Sequence, residues 1–237
     1  RRLAIRDALG RPRCDFGVRH RDGFALDRRM IDVARIGARL EAFHAARRLF
    51  SQGDLDGAVE SARFQLRLAE CLGAEKLLDA RLEAAAMRAE ALAVIQAVAD
   101  HPQFTPAHVE TLRALIADQL SRWPPDADAW IGDRALGLIA YEYVRDGGIA
   151  VLLTPDEIER FAAEGILVDL PQATQRTVDQ DTLFYMETMR KLIGRCGEPY
   201  HARADLAEAI HSELELRRNS PDYPIVAGRL LLVNLGD

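Results

Sequence analysis

The chain has 237 residues and a formal net charge of −6, and it contains no apolar run near the roughly 20 residues that a membrane-spanning helix needs. Its hydrophobic content of 49% excludes a disordered chain, and three cysteines in this length exclude a disulfide-stapled scaffold. Alanine and leucine, the strongest apolar helix formers, supply 68 residues. The composition therefore indicates a helical protein with a sizeable core. The acidic charge argues against nucleic acid as a partner of the whole molecule.

The charge is unevenly distributed along the chain. Residues 1–29 carry nine arginines and four aspartates, which gives this segment a net charge of +5 and leaves −11 for the remainder. Glycine and proline interrupt any period in it, so we predict an irregular basic arm over residues 1–27. Such an arm could bind phosphate, lipid or nucleic acid. The interpretation that we favour is an arm folded back on its own acidic body.

Helices are predicted along the rest of the chain, because apolar residues recur at steps of three and four between glycine and proline stops. They cover about 28–52, 54–72, 77–100, 105–122, 126–145, 154–164, 176–194 and 200–218, with a ninth that begins near Asp222. Gly53 and Asp54 are predicted as the stop of the first helix and the N-cap of the second. We expect residues 149–153 to form an extended connector or a helical turn, and residues 165–175 to form a loop.

Each predicted helix has an apolar face that we expect to be buried against its neighbours. In the first helix this face is Val33, Ile36, Leu40, Phe43 and Phe50, and in the fourth it is Val109, Leu112, Ile116 and Leu120. The faces of the second and third helices are rich in alanine: Leu55, Ala58, Val59, Ala62, Leu66 and Ala69, then Leu77, Ala80, Ala84, Met87, Ala91, Ile95 and Val98. Small residues of this kind let neighbouring helices approach closely.

Short connections and the lack of an alternating strand pattern predict an all-α protein built from helical hairpins. The turn at Gly53-Asp54, with small residues at Ala46, Ala58 and Ala62, is typical of a tetratricopeptide repeat, although no second copy follows at 34-residue spacing. We therefore predict an irregular right-handed α–α superhelix, a tetratricopeptide-like helical array, as a single domain over residues 28–237. A candidate sub-boundary lies near residues 147–153.

A wider resemblance covers most of residues 13–146. It is carried by Arg13-Cys14-Asp15-Phe16-Gly17, Asp22-Gly23, the segment from Gln52 to Ala58, and Arg134-Ala135-Leu136-Gly137-Leu138. In these motifs the chain resembles a family of uncharacterised helical bacterial proteins of the cell envelope. The resemblance implies a membrane anchor in a segment before Arg1 and a helical body on the periplasmic side, with the cytoplasm as the alternative location. It implies no catalytic residue.

The sequence lacks the familiar motifs of hydrolases, nucleotide-binding loops and zinc proteins, so no cofactor and no metal site is predicted. Cys196, His201 and His211 come nearest to a metal-binding set. The two histidines are ten residues apart on one predicted helix, about 15 Å along its axis, which is too far to share an ion. Cys14 and Cys71 lie far from each other and from Cys196 in the sequence, and the odd number leaves at least one thiol free unless pairing is intermolecular.

Aromatic and arginine side chains in the middle of the chain are the candidates for binding a partner, because tryptophan, tyrosine and arginine anchor protein interfaces. They are Trp123, Trp130, Tyr141, Tyr143 and Arg145. The alternative is that they fill the core and cap the helical array. The function that we favour is a non-enzymatic interaction or scaffold module, whose concave face receives a protein or peptide partner.

The competing hypothesis is an enzyme with a carboxylate and tyrosine site between helices. Asp181 and Tyr185 are four residues apart and share a helix face, and Glu187 follows. Two carboxylates beside a tyrosine can perform acid–base chemistry if a cleft buries them. The other interpretation is that carboxylates in the first turn of a helix complement its dipole.

Overall fold

The computed structural model describes residues 14–25, 28–147, 153–163, 170–218 and 231–232. Across these residues the chain is helical and contains no strand, so the prediction of an all-α protein is confirmed. The helices are α1 (Arg29–Gln52), α2 (Leu55–Gly73), α3 (Leu78–Ala99), α4 (Pro106–Arg122), α5 (Asp126–Gly147), α6 (Pro155–Ala163), α7 (Leu170–Arg195) and α8 (Ala204–Arg218), with 3₁₀ segments at His20–Ala25 and Tyr200–Ala202.

The chain forms two compact units. The first comprises Arg1–Val18 and Asp27–Ala129, and the second comprises Arg19–Leu26 and Trp130–Asp237. The domain prediction depends on a basic arm over residues 1–27 and on a sub-boundary near residues 147–153. Both regions lie partly outside the described residues. The prediction of an arm followed by one helical array therefore stays a prediction.

A tight turn joins α1 to α2 in the first unit. Gly53 has a φ of +60°, in the left-handed region that glycine adopts without strain. The Asp54 carboxylate accepts a hydrogen bond of 2.8 Å from the Gly57 N–H, and the Arg48 guanidinium donates one of 2.6 Å to the Gly57 carbonyl. The predicted helix stop and N-cap are thus confirmed, and they turn α2 back so that it packs on α1.

Helix α2 is buried around most of its circumference, because α1, α3 and α4 all pack against it. Thirteen of its nineteen residues are buried. Every residue predicted for the buried faces of the second and third helices is buried, so both predictions are confirmed. Alanines at these contacts allow the helices to approach closely, and α2 therefore serves as the centre of the first unit.

The prediction for the buried face of α1 is wrong. Its five large residues, Val33, Ile36, Leu40, Phe43 and Phe50, are each between 56% and 77% exposed. The opposite face of the helix is buried instead, and it consists largely of smaller residues: Ile31, Ala34, Ala38, Ala45 and Leu49. This is the face that packs against α2, and its alanines leave room for the neighbouring helix.

The prediction for the buried face of α4 is also wrong in part. Leu112 is buried, but Val109, Ile116 and Leu120 are exposed. The helix contacts the core through a neighbouring face that carries Leu112, Leu115 and Gln119. Periodicity alone could not distinguish these two faces, because both carry large apolar residues at helical spacing.

The second unit has its core between α5, α7 and α8. The buried residues of this core are Tyr141, Val144, Val178, Phe184, Tyr185, Met189, Ile210, Leu214 and Leu232. Helix α5 passes close to α7 at Gly137, where an added Cβ would lie 2.1 Å from the Tyr185 hydroxyl. A glycine at this position therefore makes room for the buried Tyr185 ring.

The start of α7 differs from the prediction. Helix α7 begins at Leu170, although a loop was predicted over residues 165–175. The connector predicted over residues 149–153 lies outside the described residues except for Leu153. The helix predicted from Asp222 likewise lies outside them except for residues 231–232.

We expect replacement of the α2 N-cap, Asp54→Ala, to lower the free energy of unfolding of the first unit by about 1 kcal/mol, because the Gly57 N–H loses its acceptor. Urea unfolding followed by Trp123 fluorescence in a Trp130→Phe background measures this unit. The control is Glu110→Ala, which removes an exposed carboxylate from α4. Equal effects of the two substitutions would contradict a capping role.

Candidate functional site

The most distinctive surface of the first unit is the exposed apolar face of α1, formed by Val33, Ile36, Leu40, Phe43 and Phe50. These residues follow one another at steps of three, four, three and seven, the a/d spacing of a heptad repeat. From Val33 to Phe50 the face extends about 26 Å along the helix. A contiguous exposed apolar patch of this kind is typical of a surface that binds a partner.

Positive charge accompanies the apolar face. Arg47 lies on the same side of α1, between Phe43 and Phe50, at 100° per residue, and Arg39 lies at its edge. Both side chains are exposed, and neither forms an ion pair with a residue that the structure describes. His44 adds a ring that meets Phe43 edge-on, with centroids 6.1 Å apart. The face therefore carries positive charge that has no ion-pair partner among the described residues of the first unit.

An open groove of about 410 Å³ lies between α1 and α3, with an apolar floor at Ile31, Leu82 and Ala86. Its charged walls pair with one another. Arg35 is 2.8 Å from Asp32 and 3.6 Å from Glu83, and Arg28 pairs with Asp79. Because each of these charged groups already has an ion-pair partner, the groove is a weaker candidate for a charged ligand than the apolar face of α1.

The first of the predicted partner-binding residues, Trp123, is half-buried where α4 ends. The guanidinium groups of Arg88 and Arg81 lie 4.6 Å and 5.3 Å from the centroid of its ring. Arg81, itself buried, also donates hydrogen bonds to the carbonyls of Pro124 and Pro125. These contacts anchor Trp123 within the first unit, and its binding of a partner stays a prediction.

The other predicted partner-binding residues lie in the second unit and differ in exposure. Tyr141 is 1% exposed, and Trp130 packs, partly buried, against the core. Tyr143 is exposed and its ring approaches Gly23, and Arg145 is exposed and forms an ion pair of 2.8 Å with Asp179. The structure thus leaves Tyr143 and Arg145 accessible, and their binding of a partner stays a prediction.

Two of the three residues proposed for an enzymatic site, Asp181 and Tyr185, form part of a buried polar contact between α5 and α7. Asp181 is 2% exposed, and its carboxylate accepts a hydrogen bond of 2.9 Å from the Tyr141 hydroxyl. Tyr185 instead donates to the Asp133 carbonyl at 3.2 Å, and the Tyr141 and Tyr185 rings lie 5.5 Å apart. Glu187, the third residue of the proposed site, is exposed.

Both buried tyrosines keep their protons. Burial raises the pKa of Tyr141 far above its ordinary value, and the nearby Asp181 carboxylate raises it further. Burial and the Asp133 carboxylate also raise the pKa of Tyr185, against a smaller lowering by Arg134. The phenols can therefore donate hydrogen bonds at neutral pH, but they cannot act as bases there. The hydrogen bonds that the two phenols donate join α5 to α7.

The part of the chain that the structure describes contains neither a candidate metal-binding cluster nor a candidate membrane span. No group of three or more His, Cys, Asp or Glu residues could hold a metal ion there. In the weak set considered above, Cys196 directly follows the end of α7, and its thiol lies 3.3 Å from the Leu192 carbonyl of that helix. Among the described helices, none combines the length and the hydropathy of a membrane span.

Comparison of the chain with protein-family models, with curated proteins and with solved structures finds no match. The candidate site therefore depends on the geometry of this molecule alone. The sequence had singled out the residues of the apolar face of α1, but they were interpreted as core. The signal that could have exposed the error is the second, alanine-rich face of the same helix, since a helix beside a tightly packed neighbour buries its smaller side.

Tyr141→Phe should lower the free energy of unfolding of the second unit by roughly 1–3 kcal/mol, because the buried Asp181 carboxylate loses a donor. Urea unfolding followed by Trp130 fluorescence in a Trp123→Phe background reports on this unit. Tyr143→Phe is the matched control, because it removes an exposed hydroxyl. Identical midpoints for the two variants would show that the contact contributes nothing.

The raised pKa values also predict how stability depends on pH. A tyrosine whose pKa is higher in the folded state stabilises the fold fully below its unfolded pKa of about 10, and this contribution is lost as the pH rises beyond that value. We expect the free energy of unfolding to fall above pH 10, by up to about 1.4 kcal/mol per pH unit for each tyrosine. Tyr141→Phe should reduce the slope.

Proposed function

We propose that the protein is a non-enzymatic interaction module whose first unit binds an acidic amphipathic helix of a protein partner along the apolar face of α1. The observation that supports this most directly is the exposure of five large apolar side chains on one side of a helix whose other side is buried. Burial of such side chains in a complex is favourable by about 25 cal/mol per Å² of apolar surface removed from water.

A helix fits this surface better than other partners do. The steps of three and four match the a and d positions with which helices interlock, and the face is a single narrow seam. A lipid surface fits less well, because Arg47 lies inside the seam and burial of an unpaired charge is costly. A carboxylate at the facing position of a partner helix would pair with it.

The charges of the face favour a partner of opposite sign. Arg39 and Arg47 have no ion-pair partner among the described residues, so glutamate or aspartate at the flanking positions of a partner helix would find an uncompensated charge. A second copy of this chain would instead add a second pair of unpaired arginines to the same interface. This repulsion argues against a homodimer through α1.

The wider architecture that we propose is the irregular, tetratricopeptide-like array predicted from the sequence. The close packing of α2 between α1 and α3 and the glycine–aspartate turn support this proposal for the first unit. The resemblance to helical bacterial envelope proteins stays a prediction. It would place a partner of this kind at the cell envelope.

The test uses a synthetic helical peptide of three heptads with leucine at a and d and glutamate at the flanking positions, and a matched peptide with lysine there. Fluorescence anisotropy should show binding of the glutamate peptide at least about tenfold tighter than that of the lysine peptide. The double variant Leu40→Ser/Phe43→Ser should lose about tenfold or more in affinity. The double variant Arg39→Glu/Arg47→Glu should instead prefer the lysine peptide.

Leu120→Ser is the control, because Leu120 is equally exposed but lies on α4. It should leave the affinity unchanged, and none of these surface variants should change the free energy of unfolding by more than about 0.5 kcal/mol. Three results would contradict the proposal: binding that survives Leu40→Ser/Phe43→Ser, binding to anionic vesicles but not to the peptide, or a homodimer that this variant dissociates.

A further inference from the structure

Two cysteines that are distant in the sequence lie side by side in the first unit. The sulfur atoms of Cys14 and Cys71 are 2.7 Å apart, although 57 residues separate them along the chain. A disulfide has an S–S bond of about 2.05 Å, so the atoms need to move by only about 0.7 Å to reach bonding distance. Both residues have free thiols here.

Contacts other than the two sulfur atoms hold Cys14 in this place. Two residues after it, the Phe16 N–H donates a hydrogen bond of 3.0 Å to the Glu75 carboxylate in the turn that follows α2. The Asp15 carboxylate accepts a bond of 2.7 Å from the Gly17 N–H, which closes a local turn. The segment from Cys14 to Val18 is thereby set against the end of α2 before any bond forms between the sulfurs.

We propose that Cys14 and Cys71 form a reversible intramolecular disulfide in the presence of a small-molecule disulfide oxidant, and that this bond fixes the segment before α1 to the centre of the first unit. The site lies on α2 and not on the apolar face of α1. The outcome of its test is therefore independent of whether that face binds a partner helix.

The reaction balances as two successive thiol–disulfide exchanges. The Cys14 thiolate attacks the oxidant, whose S–S bond breaks, and one thiol of the oxidant leaves while a mixed disulfide forms on Cys14. The Cys71 sulfur then attacks the Cys14 sulfur and releases the second thiol. In total the protein loses two electrons and two protons, and the two thiols released from the oxidant take up the electrons and the protons.

Exposure sets the order of these steps. Cys14 is partly exposed, whereas Cys71 is 4% exposed. Cys71 lies one turn after Arg67 and directly after Glu70, and these two residues form an ion pair. Burial raises the pKa of Cys71 to about 12, and the opposing effect of Arg67 is smaller. Cys14 is therefore the thiol that meets the oxidant, and Cys71 is the resolving thiol, which reacts because it is held beside Cys14.

The experiment treats the reduced full chain with oxidised glutathione and counts free thiols. The count should fall from three to one, and digestion without a reductant should yield a linked peptide that contains Cys14 and Cys71. The mass of the intact chain should decrease by two hydrogens. Closure of the loop should raise the midpoint temperature of thermal unfolding by roughly 5–10 °C, and dithiothreitol should reverse this increase.

Cys196→Ser is the matched control, and it should form the same linked peptide and retain no free thiol. Cys14→Ala, at the partly exposed position, should leave two free thiols and no shift in unfolding temperature. Cys71→Ala should trap glutathione on Cys14, and circular dichroism will show whether it folds. The proposal is overturned if wild-type protein keeps three thiols, stops at a mixed disulfide on Cys14, or links Cys196 instead.

Discussion

The burial of α2 on nearly every side is the constraint on which the first unit depends. A helix can be enclosed in this way only if its neighbours approach closely, and close approach requires small side chains at the contacts. Alanines on α1, α2 and α3 meet this requirement, and the turn at Gly53 and Asp54 returns the chain so that the contacts can form.

The same constraint explains the surface on which the proposed function depends. Because α1 meets α2 through alanine and glycine, its phenylalanines, leucine and isoleucine have no place in that contact and face outward. A helix with two apolar faces can bury only one of them in a hairpin, and the other remains for a further helix. The arginines beside the outer face determine which sign of charge that further helix should carry.

The helices of the second unit pack together in a different way. Its helices carry large residues at the contact, and a glycine on α5 accommodates the ring of Tyr185. A buried carboxylate, Asp181, accepts a hydrogen bond from the Tyr141 hydroxyl, so this polar contact between α5 and α7 depends on a donor that stays protonated. Residues that the sequence suggested as catalytic thus contribute to the packing of two helices. The nearness of Cys14 and Cys71 in the first unit is a comparable long-range contact with chemistry of its own.

The sequence by itself determined the helical class, most helix limits, and the buried faces of α2 and α3, because these follow from local propensity, capping residues and periodicity. Apolar periodicity alone could not decide which face of α1 or α4 is buried, since each helix has two candidate faces and the choice depends on the shape of a neighbour. Nor could it show that Cys14 meets Cys71 or that Tyr141 meets Asp181, because spacing along the chain carries no information about contacts between separate helices. Those contacts, and with them the candidate interaction surface, were decided only by tertiary packing, in which close approach selects small side chains and leaves large ones outside.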